Sequence, residues 1–244
     1  MALLKTIFAF ILTIFAIIFF TPLAIVIFLL SFPGLKKFLA WIPYRLAQVW
    51  AKSIIFVTGC AMEVEGRENI PVLGGVCFAS NHGSIFDVVL ALAYIGRPFG
   101  FIAKKELLAV PFINLWIYLL GGLFIDRLNM RKAIKTINEG IKRIQSGSCM
   151  LIFPEGTRSK GQGLLPFKSG VVKLATNSFA PIVPIAITGS YSVFEIDYRV
   201  HGVPIRMVFC PPIETSETGS IDRRHILSDR VRLAIEEALV RGNN

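Results

Sequence analysis

The stretch Val76-Cys77-Phe78-Ala79-Ser80-Asn81-His82-Gly83-Ser84-Ile85-Phe86-Asp87 changes character half-way along. Residues 76–80 are a short apolar run that reads as a strand, and residues 84–95 read as a helix, with a polar turn between them. The same alternation continues downstream. Strand-like runs lie at 98–103, 123–125, 149–153, 182–187 and 205–210, and helical patterns at 111–120, 131–146, 169–179 and 221–242. In 131–146, Ile134, Ile137, Ile141 and Ile144 recur at helical spacing, and Gly147 supplies a stop. Such an order predicts an α/β fold: a single, mostly parallel or mixed sheet flanked by helices. Functional groups in these sheets gather in the loops after the strand C-termini.

Upstream the composition shifts. The chain has 244 residues, of which 54% are hydrophobic and 17% charged, against about 25% charged in an ordinary soluble domain. The apolar surplus is local, because residues 6–35 carry no charge at all. That exceeds the roughly 20 apolar residues that cross a bilayer and is too long for a secretory signal peptide. Pro22 and Pro33-Gly34 leave a single span and a re-entrant hairpin both open. Residues 35–55 read as an amphipathic helix interrupted at Pro43. Its polar side would be Lys37, Arg45, Gln48 and Lys52, and its apolar side Leu35, Phe38, Leu39, Ile42, Leu46 and Val49, with Trp41, Tyr44 and Trp50 at headgroup depth. Residues 1–58 are thus expected to be a helical membrane anchor and residues 59–244 the α/β domain. Lys5, Lys36, Lys37, Arg45 and Lys52 all precede the first acidic residue, Glu63. This bias predicts that the domain faces the cytoplasm, and the membrane is expected to be the inner (cytoplasmic) one.

The net charge of +10 suits anionic lipids and phosphorylated substrates; without a nucleic-acid motif, nucleic acid is not an expected partner. Cys60, Cys77, Cys149 and Cys210 lie in apolar surroundings without a C-x-x-C pair, and only His82, His201 and His225 are present. Neither a metal site nor a disulfide framework is expected.

In the turn after the first strand, His82 and Asp87 are five residues apart. On one straight helix they would diverge by about 140°. With His82 in the turn and Asp87 in the first helical turn they can meet, the carboxylate taking one imidazole N–H and leaving the other nitrogen to accept a proton. Ser84-x-x-Asp87 equally fits a helix-capping box, and the pair alone does not choose. Further loops add basic groups at strand ends: Phe153-Pro154-Glu155-Gly156-Thr157-Arg158-Ser159, Lys168 at the start of a helix, Arg127 after 123–125, and Lys104-Lys105 after 98–103. A guanidinium fork and helix-start N–H groups both favour phosphate.

With NHGSIFD (81–87), AKKEL (103–107), LFIDR (123–127), FPEGTRS (153–159), LLPFKSG (164–170) and VPIAI (183–187) in this order, the chain resembles the glycerolipid acyltransferases that acylate 1-acylglycerol-3-phosphate. The resemblance implies that His82, oriented by Asp87, deprotonates the lysophospholipid hydroxyl, which attacks an acyl thioester directly. It further implies that Arg127, Arg158 and Lys168 hold phosphate with help from Lys105, and that Glu155, Gly156 and Thr157 shape the acceptor site. No cofactor or metal is implied; the co-substrate is a thioester of coenzyme A or of an acyl carrier protein. Gly83 stands where the family commonly carries Gln. Rival readings are the same chemistry on glycerol-3-phosphate or another lysophospholipid, a membrane lipid hydrolase, and a non-catalytic protein that binds anionic lipid.

Overall fold

The computed structural model describes residues 1–29, 41–215 and 221–241. Helix α1 (Ala2–Leu29) runs unbroken through Pro22. After residues 30–40, which lie outside the described residues together with the expected Pro33-Gly34 break, helix α2 (Trp41–Thr58) returns along it. The pairing is antiparallel: Lys5 Nζ donates to the carbonyl of Thr58 at 2.8 Å, and Trp50 Nε1 donates to Thr13 Oγ1 at 3.4 Å. Ala2–Val26 is long and apolar enough to cross a membrane.

Two expectations for α2 need correction. Pro43 does not interrupt it, because it falls in the first turn, where its missing N–H has no intrahelical partner to lose. Its inward face is also different. Tyr44, Ala47, Ala51, Ile54 and Ile55 are buried, while Val49 is exposed. Gln48 is buried too, donating to the carbonyl of Ala93 at 3.2 Å. Alanines at 47 and 51 let α2 approach the domain closely, which a Leu/Val face would not allow. Tyr44, expected at headgroup depth, packs edge-on against Phe99 in the core.

The remaining elements in chain order are β1 (Ala61–Glu65), β2 (Val76–Ser80), α3 (Phe86–Tyr94), β3 (Phe99–Lys104), α4 (Ile113–Leu119), β4 (Leu123–Ile125), α5 (Met130–Gln145), β5 (Cys149–Ile152), α6 (Ser169–Ser178), β6 (Ile182–Thr188), β7 (Pro204–Phe209) and α7 (Ile221–Arg241). The strands form one sheet in the order β1-β7-β6-β2-β5-β3-β4. Strands β2 to β6 are parallel; β7 runs antiparallel to β6 and parallel to β1. The sheet is therefore mixed, as expected. Strand β1 was not foreseen: it is short, alternates exposed and half-buried residues, and lies at an edge where little apolar signal is needed.

Period-two alternation sorts each central strand between two cores. Val76 and Phe78 of β2 and Leu151 of β5 face α2 and α3, with Leu90 and Ala91 of α3 packed on them. Cys77, Ala79, Met150 and Ile152 face the opposite layer of α5, α6 and α7, with Ile141, Ile144, Leu174 and Leu227. Burial on both faces explains why these strands read as continuous apolar runs. Cys77, Cys149 and Cys210 are buried and Cys60 only half-buried; all four thiols are free. The sheet order places the C-terminal ends of β6, β2, β5, β3 and β4 in a row along one edge.

Candidate active site

Strand β2 ends at Ser80, and Asn81 ties that end to its neighbour. The Asn81 side chain donates to the carbonyl of Ile187 at 2.9 Å and accepts from its N–H at 2.8 Å, extending the ladder to β6 by one side-chain rung. The chain then leaves the sheet. His82 occupies the turn, and Asp87 the first turn of α3.

His82 Nδ1 lies 2.9 Å from Asp87 Oδ2. The same oxygen accepts the backbone N–H of Ser84 at 2.9 Å, while Ser84 Oγ accepts from Phe86 N at 2.9 Å. One carboxylate oxygen therefore does two things at once: it ties down the backbone at Ser84, just ahead of the helix cap at Ile85, and it holds the ring. Asp87 is fully buried, and among the described residues its Oδ1 has no hydrogen-bond partner. Because an ionised carboxylate only accepts, Nδ1 carries the proton and the lone pair of the neutral ring sits on Nε2.

Strand β5 lies next to β2, so the loop after it reaches the histidine. Phe153 stacks on the imidazole, with ring centroids 3.9 Å apart and planes 17° from parallel. Glu155 Oε1 accepts the N–H of His82 at 2.6 Å and Oε2 the N–H of Leu165 at 3.0 Å. The carbonyl of His82 accepts from Ser159 N at 2.7 Å. Glu155 is only 1% exposed; burial pushes its carboxyl above the ordinary range, and the N–H groups of Leu165 and His82 pull the other way. Glu155, which the resemblance expects to shape the acceptor site, is buried and braces two backbone segments, the turn at His82 and the loop at Leu165.

Gly156 adopts φ +68°, and a Cβ there would lie 2.9 Å from Cδ of Lys168, so the lysine side chain runs directly over it. Lys168 itself is exposed, and its N–H donates to the carbonyl of Pro154 at 2.9 Å. Thr157 and Arg158 are exposed on the same loop. Arg158 Nη1 pairs with Oε1 of Glu195, whose Oε2 accepts the N–H of Ile85 at 3.2 Å. At Gly83 the nearest atoms to an added Cβ are Ser190 Oγ at 3.7 Å and Ser159 Oγ at 4.0 Å, an ordinary contact.

The remaining basic candidates are farther along the edge. Lys105 follows β3 and Arg127 follows β4, two and three strands from β2, or about 10 and 14 Å at normal strand spacing. Lys105 Nζ is paired with Asp126 Oδ2 at 2.9 Å. The fold thus brings His82, Asp87, Glu155, Gly156, Arg158 and Lys168 into one cluster and leaves Lys105 and Arg127 as an outer basic pair. Sequence reasoning missed Asn81, Phe153 and Glu195. The first two adjoin or lie within quoted motifs; Glu195 carries no local signal, since only the loop after β6 brings it to Arg158.

A family model described as Acyltransferase matches residues 61–188, more than half of the chain. The chain belongs to the acyltransferase family. The matched span contains every candidate residue of the cluster. Among curated relatives of this acyltransferase, the 1-acyl-sn-glycerol-3-phosphate acyltransferase of Escherichia coli K12 is 31% identical over 182 residues, 74% of each chain. That of Limnanthes douglasii is 35% identical over 214 residues, covering 83% of this chain and 72% of the relative. The crystal structure of the 1-acyl-sn-glycerophosphate (LPA) acyltransferase PlsC from Thermotoga maritima superposes with a TM-score of 0.85 at 23% identity, covering 99% of this chain and 96% of that one. At that identity the likeness concerns the fold, and the resemblance drawn from the motifs agrees with it.

Proposed function

We propose that this acyltransferase moves a fatty acyl group from an acyl thioester to the sn-2 hydroxyl of 1-acylglycerol-3-phosphate, forming phosphatidic acid. The observation that carries the reading is the 2.9 Å contact of His82 Nδ1 with buried Asp87, beside the basic side chains of Arg158 and Lys168. The names of the curated relatives support the acceptor.

A thioester is already activated, so the protein needs a base and alignment rather than a nucleophile of its own. His82 Nε2 takes the proton of the sn-2 hydroxyl as its oxygen attacks the thioester carbonyl. The buried charge of Asp87 stabilises the imidazolium that forms. The tetrahedral intermediate then expels the carrier thiolate, which takes the proton back from His82. Arg158 and Lys168 hold the acceptor phosphate, with Lys105 and Arg127 extending the positive edge. The carrier is coenzyme A or an acyl carrier protein. Helix α1 keeps the enzyme at the inner membrane, with the sheet on the cytoplasmic side, where a lipid acceptor and a soluble donor meet.

The test is one assay with purified protein in phosphatidylglycerol vesicles. Labelled acyl-CoA or acyl carrier protein thioester is offered with lysophosphatidate, other lysophospholipids or glycerol-3-phosphate. Labelled phosphatidic acid is expected. A different acylated acceptor as the main product would replace the proposed one, and free fatty acid as the main product would overturn transfer itself.

A further inference from the structure

Residues 108–113, Leu108-Ala109-Val110-Pro111-Phe112-Ile113, are all apolar and all exposed. A folded chain rarely leaves so long an apolar run on its surface unless something covers it. The backbone adds a second sign. Phe112 has φ 64° and ψ −44°, and the N–H of Ile113 donates to the carbonyl of Pro111 at 2.7 Å. This is a γ-turn with positive φ at its centre, a rare and strained form. The strain presents an aromatic ring that remains 53% exposed rather than burying it.

The surroundings point to the occupant. Helix α4 follows the turn directly and docks on α1, where Trp116 Nε1 donates to Thr21 Oγ1 at 3.0 Å. The apolar turn is thereby continuous with the one helix, among the described residues, that is long and apolar enough to cross a membrane. The ion pair of Lys105 with Asp126 joins it to the next loop, where Leu128 is 90% exposed ahead of exposed Arg131 and Lys132. Exposed apolar tips with cationic side chains close by in the chain, Lys104 ahead of the first and Arg131 and Lys132 after the second, against the single exposed acid Glu106, suit a bilayer with anionic headgroups better than a soluble protein.

We propose that residues 108–113 are a second membrane-inserting element, separate from α1, that docks the His82 edge of the sheet onto an anionic lipid surface. β3 and β2 are parallel, so the turn leaves the sheet at the same edge as His82. Insertion there sets the height of the site above the bilayer. It does not depend on which acceptor is used.

The test places a tryptophan at the tip in the full-length chain, as Phe112→Trp and separately Val110→Trp, with Val72→Trp as a control before the opposite end of β2. Each protein is bound to phosphatidylglycerol/phosphatidylcholine vesicles, and the emission of the parent is subtracted. The tip tryptophans are expected to emit to the blue and to be quenched roughly twofold by lipids brominated high in the acyl chain, consistent with burial about 5–10 Å into the interface. The Val72→Trp emission stays water-like and unquenched. Water-like emission from both tip variants on vesicle-bound protein would overturn the proposal. So would a blue shift without quenching, which would indicate a protein partner such as a second copy. Two independent tip positions keep the test decisive if one variant does not fold, and the quenching readout requires no turnover.

Discussion

The N–H of His82 donates to Oε1 of Glu155 at 2.6 Å, joining the turn after β2 to the loop after β5. The carboxylate, which the family resemblance assigns to the acceptor site, also fixes the backbone that carries the histidine. Glu155→Ala leaves the N–H groups of His82 and Leu165 without partners, at about 1–3 kcal/mol each. Its kcat is expected to fall about a hundredfold, as misplacement by an ångström does. A variant with parental kcat in the acyl-transfer assay would remove this role.

The same residue predicts a pH dependence. Burial holds the Glu155 carboxyl above its unfolded range. Its protonated form therefore contributes stability that is fully present below the ordinary carboxylate range and is lost as pH rises through the folded value. Glu155→Gln cannot titrate. Its deficit in Tm relative to the parent should be largest near pH 4 and narrow towards neutrality, which thermal unfolding across that window measures.

Asp87→Asn separates activity from stability. With its oxygen in the place of Oδ2 the amide still accepts from both Ser84 N and His82 Nδ1, but the negative charge that stabilises the imidazolium is gone. Turnover should drop on the order of 10³–10⁴-fold, while Tm is held or rises because a fully buried charge is gone. Calorimetry beside the transfer assay decides; a large loss of Tm with modest loss of turnover would make Asp87 mainly a helix cap.

Glu195 lies under Arg158: its side chain is 10% exposed and that of the arginine 40%. Glu195→Ala should raise the apparent KM for the phosphorylated acceptor several-fold and leave kcat close to parental. Adding it to Arg158→Ala should cost little more than Arg158→Ala alone, since coupled residues are non-additive. Additive losses in that double-mutant cycle would show that Glu195 acts elsewhere.

Asn81→Ala removes two hydrogen bonds to Ile187 that stitch β2 to β6. At about 1 kcal/mol each, a loss of roughly 2 kcal/mol in urea unfolding is expected. Asn81→Asp should be worse, because a carboxylate cannot donate to the Ile187 carbonyl.

Much of this architecture is local in origin and therefore legible in the chain. Continuous apolar runs at 76–80 and 149–153 state that those strands are buried on both faces, and period-3.6 isoleucines state the helix that spans Met130–Gln145. The four basic or acidic loops at strand ends, and the uncharged stretch from residue 6, are equally a matter of sequence. What distance along the chain hides, the sheet order reveals. That β5 inserts beside β2 brings Phe153 and Glu155 to His82, while Lys105 and Arg127 are held two and three strands away. The edge strand β1 and the inward face of α2 escaped because packing partners, not periodicity, decide them. His82 and Asp87 show the division most plainly. Their spacing allowed either a cap or a catalytic pair, and only the turn geometry let one oxygen, Oδ2, accept from both Ser84 N and His82 Nδ1.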